Sequence, residues 1–375
     1  MIKPAHFLAL AFACVAFLIA ALHGRNLPPP AFVVPAHEDN LSIDPASFEQ
    51  FTIPSPTPSA HSTTLAPLSC ERIMAVWFGG QQEGARDVKL YQSIFEKGVW
   101  QPAQAIASRL ELQQETRRNI RKIGNPVLMR DRRGTLHLFF VSVSYGGWAG
   151  SAINHKRSTD EGVTWSPAER IITSPFLNLS TLVRGTPLNM QNGQIGLPVY
   201  HEFIAKFPEW LLLGSNGQVI DKTRMQHGQP TLQPTIVPLD TSHALALLRY
   251  AGPPPNRIWA VDTDDAGQTW HSARPLALPN PNSSVMTLRL NNGTLLLAYN
   301  PTEHDRNRLA LAISDDNGAH WQLARLLEQS ASSADEFSYP ALLEDMQGNI
   351  HLTYTYKRQS IKHIMFNESW LRGGT

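Results

Sequence analysis

The sequence predicts an all-β fold, a six-bladed β-propeller, and three observations carry that reading. One octapeptide with turn chemistry recurs along the chain. Around each copy lie four short apolar strands in about 50 residues. Glycine (24), proline (28) and tryptophan (9) are plentiful, while charged residues make up only 17% of the 375. Such a composition fits a turn-rich, strand-rich protein, not a helical bundle or a disordered chain. The formal net charge of +1 excludes a strongly basic nucleic-acid footprint and an acidic tail. The two cysteines, Cys14 and Cys70, supply neither a disulfide framework nor a cysteine zinc site.

The chain opens with an apolar stretch over residues 7–22, between Lys3 and Arg25. It is short of the roughly 17–25 residues a spanning helix needs. A charged start before a short apolar run fits a signal peptide. No clean small-x-small pair precedes Gly24, so removal of residues 1–25 and their retention as a membrane anchor both stay open. Either way the expectation is an exported protein, periplasmic or extracellular. Residues 26–58 carry Pro28, Pro29, Pro30, Pro35, Pro45, Pro54, Pro56 and Pro58 with no hydrophobic period, which reads as an extended tether. One domain is then expected over residues 59–375.

The octapeptide runs Ser158 to Trp165 and returns as Thr263 to Trp270 and as Ser314 to Trp321. Its pattern is Ser/Thr-x-Asp-x-Gly-x-Thr-Trp. The aspartates are Asp160, Asp265 and Asp316, and the first gap is about twice the second. A degenerate copy at Leu213-Gly-Ser-Asn-Gly217 fills the gap. Asp accepts hydrogen bonds from the turn's own N–H groups, Gly supplies a positive φ, and Trp opens the next strand. These aspartates read as turn-formers. One carboxylate per turn is too few oxygens for calcium.

Each repeat has the same internal order. Val285–Leu290 is a first strand, Asn291-Asn-Gly293 a hairpin turn, Thr294–Tyr299 a second strand and Leu309–Ile313 a third. The box turn and a short outer strand from Trp321 follow. The same order starts at Pro126, Pro187, Thr235 and Ala341, and an eroded version at Thr63 ends in the turn Lys97-Gly98. A four-stranded sheet of this length cannot bury both faces alone. Six such units stack radially into a propeller, within the usual range of roughly 4–8 blades.

The octapeptide is the Asp box, and the chain resembles the sialidase (neuraminidase) superfamily, specifically bacterial sialidase-like proteins with BNR repeats. Ala75-Val-Trp-Phe-Gly-Gly80, Asn125-Pro-Val-Leu, Leu278-Pro-Asn-Pro-Asn282, Phe337-Ser-Tyr-Pro340 and Ile361-Lys-His are also similar to that branch. The resemblance spans about residues 60–372. It implies an exo-acting glycoside hydrolase for sialic acid or a related acidic sugar. Sialidases use a tyrosine nucleophile instead of paired carboxylates. A neutral phenol avoids repulsion by the substrate carboxylate, but it needs a carboxylate base because its ordinary pKa is about 10.

Carried over by position, the resemblance implies Tyr339 as nucleophile. Glu202 is its carboxylate partner, with Glu303 second. Glu83 or Asp87 protonates the leaving oxygen. Arg184, Arg249 and Arg358 are the arginines placed to clamp a carboxylate. His61, Asn125, His201, Gln233, Asn282 and Tyr356 sit at strand ends that ring the same mouth. One departure stands out. Sialidases open blade one with Arg-Ile-Pro, and here that position reads Ala60-His-Ser-Thr63, so His61 takes part of the role only if protonated. Two other readings share the propeller: a polysaccharide lyase or other glycosidase, and a non-catalytic glycan-binding protein. A glycan is the expected partner. No cofactor, metal or nucleic acid is expected, and membrane contact would come only through the leader.

Overall fold

Period-two alternation divides each inner strand between two cores. The computed structural model describes residues 11–12, 14–15, 29–34, 45–174 and 178–373. In strand Leu136–Val143, Leu136, Leu138 and Phe140 join one apolar cluster, while Phe139 and Val141 join the next. The second strands of the other blades follow the same rule. The result is six sheets, with one buried cluster between each neighbouring pair. Neighbouring sheets touch in chain order and the last touches the first. The molecule is an all-β, six-bladed propeller of sialidase type.

The innermost strands are Ser59–Pro67, Lys122–Arg130, the broken pair Leu182–Val183 and Leu188–Asn189, Thr231–Pro238, Met286–Arg289 and Phe337–Glu344. The Asp boxes link third strands to fourth strands, as their turn chemistry requires. Asp160 Oδ1 accepts from Thr164 N (2.9 Å) and from Ser158 Oγ (2.7 Å), and Ser158 Oγ accepts from Gly162 N (2.8 Å). Hydrogen bonds from Thr164 and Ser158 hold the Asp160 carboxyl down at about 2. The boxes at Asp265 and Asp316 repeat the geometry. Trp165 reaches across to the first blade, where its Nε1 donates to Gln92 Oε1 at 2.9 Å.

One expectation is corrected. The stretch read as tether contains a strand, Phe48–Ile53, which pairs along its whole length with Ser360–Phe366. The sixth blade draws only three strands from the C-terminal part of the chain, and Phe48–Ile53 is its outer fourth. It covers an edge whose N–H and C=O groups would otherwise stay unpaired. Phe48 stacks on Trp370 and Phe51 packs edge-on against Phe95, while Ile53 is buried. Further upstream, Phe32 is fully buried between blades three and four and bridges to Met190. A helix at Arg109–Thr116, capped by Ser108, was also not expected; it fills the connection from blade one to blade two. The apolar leader lies almost wholly outside the described residues. Among the described residues, no helix is long and apolar enough to cross a membrane.

Candidate active site

A backbone irregularity recurs at the axis of nearly every blade. Register slips occur in the inner strands between His61 and Thr64, Gly124 and Val127, Leu232 and Thr235, and Ser338 and Ala341. In each, two residues oppose one on the neighbouring strand, which is a β-bulge. The first bulged residue is left-handed: Ser62, Asn125, Gln233 and Tyr339 have φ of 56°, 46°, 48° and 53°. Asn282 in blade five has φ of 54°. In blade three, Arg184 sits in the longer break between Val183 and Leu188. A non-glycine residue at such φ costs on the order of 1–3 kcal/mol, and such strain clusters at functional sites. In blades two, four and six the left-handed bulge residue is a large polar one, Asn125, Gln233 and Tyr339.

Tyr339 is the hub of one half of this ring. Its ring lies 4.4 Å from His61, 5.3 Å from the Arg184 guanidinium and 5.9 Å from that of Arg306. Arg184 is 2% exposed and donates to the Pro340 carbonyl at 2.8 Å, but its Nε has no partner. Burial lowers its pKa to about 10, so it is a cation at neutral pH, and among the described residues no carboxylate pairs with it. His61 is buried with both ring nitrogens unpartnered. Burial pushes its pKa down to about 3, against the pull of Glu336. Burial thus favours its neutral form, against the protonation that a cationic part in a clamp requires. Arg306 donates to Glu336 Oε1 (3.0 Å) and to the Asn282 carbonyl (2.8 Å). Arg358 bridges Glu336 (2.7 Å) and Glu83 (3.0 Å). Burial would raise the Glu336 pKa, but Arg306, Ser338 and Arg358 outweigh it and hold the group at about 2.

The other half is built on Tyr200, buried at the end of the second strand of blade three. Its hydroxyl accepts from Asn125 Nδ2 (3.4 Å) and Gln233 Nε2 (3.2 Å). Arg249 donates to Gln233 Oε1 (3.0 Å) and Asn282 Oδ1 (2.6 Å). Burial raises the Glu202 pKa, with Arg249 and Lys206 opposing. Burial likewise raises that of Tyr200, and the charges of Glu202 and Tyr339 add to it. Asn125, Gln233, Asn282, Arg184, Arg249 and Tyr339 thus meet around the axis. A cavity of about 670 Å³ opens beside them, lined by His61, Glu83, Lys122, Trp148, Arg358 and neighbouring loop residues.

Four expected site residues are engaged elsewhere. His201 Nε2 is 2.6 Å from Glu209 and its ring stacks on Phe207, so it braces blade three. Glu303 pairs with Arg257 at 2.9 Å. Asp87 closes its own loop by accepting from Gln81 N at 2.9 Å, and it does not line the cavity as Glu83 does. Tyr356 packs into the core between blades five and six against Phe337. Two central residues were missed, Arg306 and Glu336. Arg306 follows the second strand of blade five by seven residues, and Glu336 precedes Tyr339 by three; strand-end positions alone did not reach them. Among the described residues the Tyr339 hydroxyl has no hydrogen-bond partner, and no cluster of His, Cys, Asp and Glu is fit to hold a metal.

Fold and site together define a propeller with a polar, arginine-bearing pocket at its axis. The chain belongs to the BNR repeat-like domain family, whose model matches residues 71–352. No curated protein matches it. Solved structures do. A Dyadobacter fermentans protein of unknown function is 15% identical with a TM-score of 0.68, covering 85% of this chain and 98% of that one. The Hadza microbial sialidase is 14% identical with a TM-score of 0.67, covering 82% of this chain and 65% of its own. The intramolecular trans-sialidase of Ruminococcus gnavus, solved with oseltamivir carboxylate, is 14% identical with a TM-score of 0.65, covering 87% and 98%. At such identities the likeness is one of fold.

Proposed function

We propose that the protein is an exo-acting glycoside hydrolase of sialidase type, releasing a terminal sialic acid or related acidic sugar. The observation that carries this is Tyr339, held left-handed at the axis with the guanidinium groups of Arg184 and Arg306 beside its ring. In this reading the unpaired Arg184 attracts the substrate carboxylate. The Tyr339 oxygen attacks the anomeric carbon as Glu202 takes its proton, and Glu83 protonates the departing glycosidic oxygen. A raised carboxyl pKa suits a base that must accept a proton near neutral pH. Water then displaces the tyrosine. An exported location fits such a substrate and the apolar stretch at residues 7–22.

The test is cleavage of a fluorogenic sialoside by the purified protein. Wild type turns over and Tyr339→Phe does not, while both keep the same melting curve. One observation favours a second reading, a non-catalytic glycan-binding propeller: the Tyr339 hydroxyl is not hydrogen-bonded to a carboxylate, and Glu336 is taken up by two arginines. Saturable binding of a sialoside by wild type with no product released would establish that reading instead.

A further inference from the structure

Next to the first cavity lies a second, of about 520 Å³, lined by Gly84, Arg86, Arg109, Arg121, Lys122 and Tyr145 among others. Four of its side chains are cations and none of its lining residues is acidic. Twelve arginines and lysines elsewhere in the molecule have a carboxylate within 4 Å, and among the described residues none of these four does. Arg109 is anchored instead by Gln113 Oε1 (2.7 Å) and the Ile120 carbonyl (3.3 Å), and its Nε is buried without a partner. Four unpaired cations around one cavity repel each other. The fold maintains that arrangement through the helix Arg109–Thr116 and the run Arg117–Arg121, both inserted between blades one and two, and through Lys122 at the start of the inner strand of blade two.

The two cavities meet at Gly84 and Lys122, which line both. Gly84 has φ of 78°, and a Cβ there would stand 3.1 Å from Lys122 Nζ. Glu83 is its immediate neighbour. If Glu83 protonates the leaving oxygen, the leaving group departs on the Glu83 side of the first cavity, toward the second. Tyr145 adds an exposed aromatic ring (69%) on that side.

We propose that the second cavity is the leaving-group subsite and that it takes an anionic sugar, one bearing a sulfate or a carboxylate next to the terminal acidic residue. This rests on the hydrolase reading above, and the test separates the two. Binding is measured by calorimetry in the Tyr339→Phe protein, so that nothing is consumed. The probes are a sialylated N-acetyllactosamine, its sulfated counterpart, a disialylated oligosaccharide, and sulfated N-acetylglucosamine alone.

The expected result is that one or both anionic leaving groups improve affinity about tenfold over the neutral one. Which of them does so identifies sulfate or carboxylate as the recognised group. The preference falls to about onefold in Arg121→Glu and with rising salt, and it survives in Arg133→Glu, a charge reversal on an exposed turn outside both cavities. Equal affinity for neutral and anionic leaving groups overturns the proposal, as does a preference that Arg121→Glu leaves intact. If no sialylated probe binds but sulfated N-acetylglucosamine does, and Arg121→Glu abolishes it, the anion pocket stands and the sialidase reading falls.

Discussion

Arg184 carries an energetic cost that its contacts do not offset. It is a buried guanidinium with one carbonyl partner and, among the described residues, no carboxylate. A buried charge without a carboxylate partner destabilises a fold, and in the hydrolase reading proposed above the substrate carboxylate would supply that partner. Arg184→Met is expected to leave the melting temperature unchanged or higher. The same change is expected to weaken binding of an acidic sugar by about a hundredfold, the loss of a charge-assisted, desolvated pair. A fall in Tm beyond about 5 °C, read by scanning calorimetry, would make Arg184 a strut between blades instead. Tyr339 pairs with it in argument: a bulky residue at φ of 53° is strained, and its backbone position is what aims the ring.

Among the elements, the Asp-box turns and the N-terminal strand carry distinct loads. Gly162 has φ of 86°, and a Cβ there would run into Met74 Cε, in the neighbouring blade. Gly162→Ala thus combines backbone strain with a steric clash across the blade interface. It is expected to cost about 2–4 kcal/mol in denaturant unfolding, and a loss under about 1 kcal/mol would show that the turn relaxes freely. The strand Phe48–Ile53 closes the ring. Two truncations isolate it, because both remove Phe32: a chain beginning at residue 45 keeps the strand and one beginning at 57 lacks it. The shorter chain is expected to melt at least about 10 °C lower or to aggregate, since it exposes an apolar edge strand. Equal melting of the two would mean that three strands suffice for the last blade.

For the whole molecule, acid is the weak side. Blades two and six each bury a stacked pair of histidines hung from an aspartate. His137 links Asp131 (3.2 Å) to His155 (3.0 Å), and His351 links Asp345 (3.2 Å) to His363 (3.0 Å). Burial lowers the pKa of His137, takes that of His155 to about 3 and holds that of His363 well below the ordinary value. A histidine lowered in the folded state binds its proton more readily when unfolded. Its contribution to stability is complete above about pH 6.5 and is lost as pH falls toward the folded value. His61 acts in the same direction. Each such group costs about 1.4 kcal/mol per pH unit below 6.5. The Tm is expected to fall steadily from pH 7 to pH 4.5, with a shallower slope in His155→Gln; a flat profile would contradict the burial of neutral histidines.

Much of this architecture was legible in the sequence because its signals are local. Within eight residues the turn's threonine and serine bond to its aspartate and its glycine N–H bonds to the serine, so the octapeptide shows in one dimension what it does in three. Strand alternation likewise reports that both faces of each sheet are buried. Five of the six axial residues, Asn125, Arg184, Gln233, Asn282 and Tyr339, were readable as first-strand starts, since the repeat carries equivalent positions from blade to blade. Tertiary structure decided the rest, because it depends on which distant segments meet. Phe48–Ile53 has no alternation to announce it and becomes a strand only against an edge made 300 residues later. Whether an arginine near a strand end faces a carboxylate depends on loops from other blades: Arg358 meets Glu83 and Glu336, Arg306 meets Glu336, and Arg184 meets none among the described residues. The sequence by itself thus determined the propeller and the ring of residues around its axis. The tertiary structure decided which of those residues are free to act, because charge pairing and burial are set across the ring and not along the chain.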